Sequence, residues 1–198
     1  MSDVGLDGAF AVAADDLARL HDALAHRAVA DGLLDVAYRT VESPIGPLLL
    51  AATPAGVVRV AFAVEGHDAV LAALAGDVSP RILLAPARLD PLARELDEYF
   101  AGRRHTFDVP VDLRLAHGFR RAVLRQLAQI PFGDTASYAD IARAAGSPRA
   151  VRAVGTACAT NPVPLVVPCH RVVRSDGAIG NYRGGVDAKR TLLELEAA

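Results

Sequence analysis

The chain has 198 residues, 52% of them hydrophobic, with a formal net charge of −2 and two cysteines. That composition supports one ordinary domain or two small ones around a packed core and excludes a largely disordered chain. The two cysteines are too few for a disulfide framework or a cysteine-based zinc site and fit a reducing, cytoplasmic setting; no apolar run reaches membrane-span length and no signal-peptide pattern opens the chain.

In chain order, residues 1–10 read as a loose tail. Leu17, Leu20, Leu24 and Val29 then fall at helical spacing between Val12 and Leu34, predicting an amphipathic helix that breaks near Asp31-Gly32 and caps the N-terminal domain. Val36–Glu42 alternates as a strand, and Pro47–Thr53 and Val57–Ala63 read as two more across turns at Ser43–Gly46 and Pro54–Gly56, an antiparallel meander. A helix near His67–Ala75, a loop or short strand at Arg81–Ala85, a helix at Pro91–Phe100 and a further strand at His105–Val109 complete this part. Its His21, His26, His67 and His105 show no ligand spacing, and no metal site is expected. Residues 110–118 connect the halves.

Charge divides the same way. Residues 1–113 hold 9 basic and 17 acidic side chains, whereas residues 114–198 hold 12 and 6, so the later part carries +6 and points to a nucleic-acid partner. Phe119, Val123, Leu127 and Ile130 form one stripe of a helix over Gly118–Gln129. Ser137 caps a short helix, Tyr138–Ala145, closed by Gly146; Ser147 caps the next, with Pro148 at its first position, running to about Ala159. Two short helices around so tight a turn predict a helix-turn-helix. The fold class is therefore α+β: an antiparallel sheet with helices, then a helical domain with a winged-helix-like helix-turn-helix. The boundaries fall at 1–35 (helical extension), 36–112 and 113–198.

The chemistry centres on Pro168-Cys169-His170-Arg171, set between Val166-Val167 and Val172-Val173. A thiol attacks as its thiolate, which nearby cations and hydrogen-bond donors favour. His170 and Arg171 both qualify, but neighbours along a strand face opposite ways, so the direct partner is left open. Composition alone also allows a buried, inert cysteine. Cys158, among small residues in mid-helix, reads as that kind of thiol.

The ordered motifs Arg152-Ala153-Val154-Gly155, Asn161-Pro162-Val163-Pro164, Pro168-Cys169-His170-Arg171-Val172 and Gly180-Asn181-Tyr182-Arg183-Gly184-Gly185 resemble the O6-alkylguanine-DNA alkyltransferases. The likeness runs from about Phe119 to Glu196, with a weaker echo from Tyr38 onward. It implies irreversible transfer of an alkyl group from O6-alkylguanine (and O4-alkylthymine) in double-stranded DNA to Cys169, after the base flips out through the minor groove, by a monomer that needs no cofactor. His170, acting through a water, and a carboxylate near the C-terminus would form a relay to the thiol. Spacing from Gly184-Gly185 selects Glu196, with Glu194 as second choice. Tyr138 would donate its hydroxyl to the guanine ring, and Asn161 would tie the recognition helix to the reactive loop. Tyr182, Val172 and the backbone N–H of Arg183 would line the base pocket. Arg152 would fill the gap left by the flipped base, with Arg149, Ser147, Ser175 and Arg120 as phosphate contacts. Some relatives carry an N-terminal zinc; no N-terminal cysteine stands here to bind one. Many also carry a tryptophan in the helix spanning Gly118–Gln129, and this chain has none.

Two other readings compete. A cysteine hydrolase using Cys169 and His170 would turn over repeatedly and would have no use for a basic helix-turn-helix. A DNA-binding regulator or damage sensor with a reactive thiol would carry a dimer interface and read defined half-sites.

Overall fold

The computed structural model describes residues 13–197, so the expected N-terminal tail lies outside the described residues. Helix α1 (Ala14–Ala30) leads to β1 (Val36–Val41), β2 (Leu48–Thr53) and β3 (Gly56–Phe62), which form the expected meander. Helix α2 (His67–Asp77) then returns the chain across the sheet, so β4 (Ile82–Leu84) pairs parallel to β1 and the sheet is mixed, in the order β3-β2-β1-β4. Side chains alternate between two buried faces. Val36, Leu49, Ala51, Val58 and Ala61 meet Val70 and Leu74 of α2. Leu48, Leu50, Val60 and Phe62 face α3 (Asp90–Phe100) and merge with the core of the C-terminal half. Both strands are accordingly buried along their whole length.

Two expectations about this half need correction. Helix α1 docks through its alanine side: Ala25 is buried with Leu34, Ala37 and Ala85, and the His21 Nε2 lies 2.7 Å from the Leu84 carbonyl. Leu17, Leu20 and Leu24, the stripe read as its packing face, stay 55%, 65% and 55% exposed. Residues 105–109 form no strand. Glu95 accepts the Asp108 N–H at 2.9 Å and Arg104 bonds Glu98 and Asp108, which holds this segment against α3. The β3 edge is met by Val111 instead, through Val57 N–H to Pro110 O and Asp112 N–H to Val57 O, each 2.8 Å. Gly56 permits that approach, because a Cβ there would sit 2.3 Å from the Pro110 oxygen.

The C-terminal half holds α4 (Gly118–Leu127), β5 (Ala136–Ser137), α5 (Tyr138–Ala144), α6 (Val151–Ala159), β6 (Val172–Val173) and α7 (Val186–Ala197). Ser137 caps α5 as expected, in a reciprocal box with Asp140. Ser147 does not cap α6. Its N–H bonds Ala142 O to end α5 and its carbonyl closes a separate turn onto Ala150 N–H, so the helix starts only at Val151 and Arg149 sits in the turn. Helices α5 and α6 nevertheless pack as the two arms of a helix-turn-helix, with Val154, Ala157 and Cys158 turned inward.

Candidate active site

Cys169 lies in a short 3-10 turn, Cys169–Arg171, and not in a strand. The alternation argument therefore does not apply, and His170 and Arg171 both turn to the same partner. That partner is Glu196, on the buried face of α7 with Ala188, Lys189 and Leu192. Its Oε1 accepts from His170 Nε2 at 2.8 Å, Arg171 Nη2 at 2.9 Å and the Tyr99 hydroxyl at 2.6 Å. Its Oε2 accepts from Arg171 Nε at 2.7 Å. Burial works against the charge, but bonds from His170, Arg171 and Tyr99 outweigh it and hold the carboxyl down at about 2. Glu194, the alternative carboxylate, lies on the less buried side of α7 and takes no part in this cluster.

The ionised carboxylate settles the imidazole. Burial lowers the His170 pKa and Glu196 only partly offsets this, so the ring is neutral at physiological pH. A neutral ring donating Nε2–H to Glu196 carries its lone pair on Nδ1. That nitrogen is buried and bonds no group among the described residues. The site thus holds an oriented base with its acceptor free.

Cys169 is 3% exposed, and Asn161 Nδ2 donates to its Sγ at 3.1 Å and to Val167 O at 2.8 Å. The amide orientation follows from its oxygen, which accepts the Val163 N–H at 3.1 Å. Leu165, with φ 72° and a buried side chain, forces the bend between Asn161 and the thiol. Burial raises the Cys169 pKa to about 11, against opposing pulls from Asn161 and Lys189. At rest the sulfur therefore keeps its proton. Iodoacetamide is accordingly expected to label Cys169 far more slowly than free cysteine at neutral pH. The rate should climb with pH until about 11, and a rate that levels off below about pH 9 would contradict a protonated resting thiol.

The parallel pairing of Ala136 with Val172 and Ser137 with Val173 brings the start of α5 beside the reactive turn. Tyr138 is half-buried there, and a Cβ at Gly180 would fall 2.7 Å from its hydroxyl, so the phenol rests on a bare backbone. Burial raises its pKa, which keeps the hydroxyl a donor. Tyr182 stands edge-on to His170, centroids 6.3 Å apart, and Val172 is fully buried beneath. The Arg183 side chain reaches Glu65 at 2.5 Å. Arg152, Arg149 and Ser175 are exposed and Ser147 partly so. Arg120 is half-buried and donates to Thr160 O at 3.1 Å.

Sequence reasoning missed Tyr99 and Lys189 and left Arg171 open. Lys189 is fully buried and donates from Nζ to Val172 O at 2.5 Å, where it also supplies positive charge toward Cys169. Its signal was present: the chain's sole lysine sits two helical turns before Glu196, on the same apolar face. Nothing local to Tyr99 pointed to its bond with Glu196, 97 positions away.

Comparison with known proteins matches both halves of the chain to one family. Residues 36–113 match the 6-O-methylguanine DNA methyltransferase ribonuclease-like domain, and residues 118–198 match the DNA binding domain of the same family. A methylated-DNA–protein-cysteine methyltransferase of Mycobacterium tuberculosis is 42% identical over 80% of this chain and 91% of its own. One from Methanosarcina barkeri is 38% identical over 80% and 96%. The crystal structure of M. tuberculosis OGT in complex with DNA superposes with TM-score 0.69 at 38% identity, covering 81% of this chain and 92% of that one. With both halves matched and the thiol, imidazole and carboxylate assembled in one buried site, the chain belongs to the 6-O-methylguanine DNA methyltransferase family.

Proposed function

We propose that this protein repairs DNA by moving the methyl group of O6-methylguanine, or O4-methylthymine, onto Cys169, irreversibly and once per molecule. The observation that carries this is the thiol itself: buried, bonded to Asn161, and beside a neutral imidazole held by an ionised Glu196. In the step, the methyl–oxygen bond breaks as the sulfur–carbon bond forms. The thiol proton passes by way of His170 Nδ1, through a water, and the base departs as neutral guanine once protonated. Tyr138 donates to the ring as charge leaves, and the Arg183 N–H and Tyr182 hold the base. One chain supplies every group, so it reacts as a monomer, with residues 113–198 carrying the chemistry, residues 36–112 the supporting domain and residues 1–35 an extension. A cytoplasmic protein meets its DNA and keeps its thiol reduced. Intact mass after incubation with methylated-guanine duplex tests the reading: one added methyl is expected, mapped to Cys169. Catalytic turnover would favour a hydrolase, and DNA binding without mass gain would favour a sensor.

Arg152 projects from the first turn of α6, away from the inward-facing Val154 and Ala157, where a groove-bound helix would present it. Extrusion of a base costs a few kcal/mol, so Arg152→Ala is expected to slow transfer from duplex roughly 10- to 100-fold. Transfer from the free base should be unaffected. Equal losses on both substrates would remove Arg152 from the role of filling the gap in the stack.

A further inference from the structure

We propose that Glu65, in the N-terminal domain, is a positioning residue for alkyl transfer: with Arg59 it clamps the two segments that wall the base pocket. This rests on the reading of residues 182–184 as that pocket's rim. Glu65 ends the short 3-10 turn Ala63–Glu65 after β3, and its Oε1 accepts the Phe62 N–H at 3.0 Å, which fixes the carboxylate to the backbone. Its Oε2 takes Arg59 on one side and Arg183 Nε at 2.5 Å on the other. The Glu65 and Arg59 side chains are 8% and 9% exposed, so water screens the first pair little.

Arg59 holds the opposite wall. Its Nη1 lies 3.5 Å from the Pro162 carbonyl, and the Val60 N–H donates to the same oxygen at 2.9 Å. Pro162 follows Asn161, the residue that orients the sulfur. Phe62 completes the grip, with its ring 5.4 Å from that of Tyr182 and so close to Gly184 that a Cβ there would fall 2.7 Å away. One strand end therefore ties the thiol side of the pocket to its base side. Arg183 would otherwise be a half-buried side chain on a loop with few backbone bonds of its own; Glu65 gives it a fixed place, and with it the N–H aimed at the base.

Misplacement of reacting groups by about 1 Å can cost on the order of 10²-fold. Glu65→Gln and Arg183→Met are each expected to slow transfer about 10- to 100-fold from duplex and free base alike. Undamaged-duplex affinity and iodoacetamide labelling of Cys169 should not change. Arg183→Met leaves the buried Arg59–Glu65 pair intact and so separates loop positioning from folding. The double variant should be no slower than the worse single one, and Glu65→Asp should recover part of the rate. Wild-type rates in both single variants would overturn the proposal, as would parallel losses in DNA affinity and thiol labelling. Tyr182→Ala distinguishes the underlying reading: full activity there would remove the loop from the base pocket altogether.

Discussion

Cys169→Ser is expected to bind methylated duplex and transfer nothing from it, while the unaltered chain stops at one methyl per molecule whatever the excess of substrate. A serine hydroxyl at the same place keeps the Asn161 bond but is too weakly acidic to ionise against a neutral imidazole. The limit of one equivalent comes from the product. A thioether has no leaving group, unlike the thioester of a cysteine hydrolase, and the other thiol, Cys158, is buried on α6 with its pKa raised to about 12 by burial. The methylated side chain must also fit a tight site, since Cys169 keeps only 3% exposure. Overpacking by one methyl costs about 1–3 kcal/mol. At roughly 2–4 °C per kcal/mol for a chain of this size, calorimetry should show the methylated form melting several degrees lower. A progress curve running well past one equivalent would sink the assignment.

Glu196→Ala is expected to have the largest effect on stability. It leaves the Arg171 guanidinium buried with Ile130 O, at 2.6 Å, as its one remaining hydrogen-bond acceptor among the described residues, and leaves the Tyr99 hydroxyl and His170 Nε2–H without their acceptor. Breaking a buried pair by removing one partner typically costs about 3–5 kcal/mol. Transfer should fall as well, because the tautomer that leaves Nδ1 as acceptor is set by this carboxylate. The pH dependence has a definite sign. Glu196 sits at about 2 against an unfolded value of 4.5, so its contribution is present above pH 4.5 and is lost as pH falls toward 2. His170, lowered from 6.5, also favours the fold when neutral and loses that advantage as pH drops below 6.5. Cys169, raised from 9.0 to about 11, costs stability as pH climbs through that interval. Denaturant titrations should therefore show a plateau between about pH 6.5 and 9. In Glu196→Gln the loss between pH 4.5 and about 2 should shrink; an unchanged acid limb would place the acid sensitivity elsewhere.

The outward face of α1 shows how a correct local pattern can mislead. The spacing of Leu17, Leu20 and Leu24 does define one side of a helix, but spacing cannot say which side meets the sheet. The flatter alanine side sits closer to Ala37 and Ala85, and His21 finds the Leu84 carbonyl there. The start of α6 is a similar case. Ser147-Pro148 carries a legitimate capping signal, overridden because the Ser147 carbonyl closes a separate turn onto the Ala150 N–H and α6 starts only at Val151.

By itself the sequence determined the features that depend on residue type and short spacing. Cys169 with His170 beside it, the two-helix unit with Arg152 on its second arm and the three-strand meander each come from a local pattern, and the choice of Glu196 over Glu194 from a spacing that the family resemblance made meaningful. Tertiary structure decided every contact between residues far apart in the chain. Tyr99 reaches Glu196 across 97 positions, Arg59 reaches Pro162 across 103, and Glu65 grips Arg183 from the other half of the molecule. The physical reason is that strand and helix periodicity encode which side of an element a residue occupies, whereas packing against the rest of the core decides what that side meets. For the same reason Arg171, two residues after the nucleophile, gained its role only when the turn at Cys169–Arg171 swung it onto the carboxylate it shares with His170.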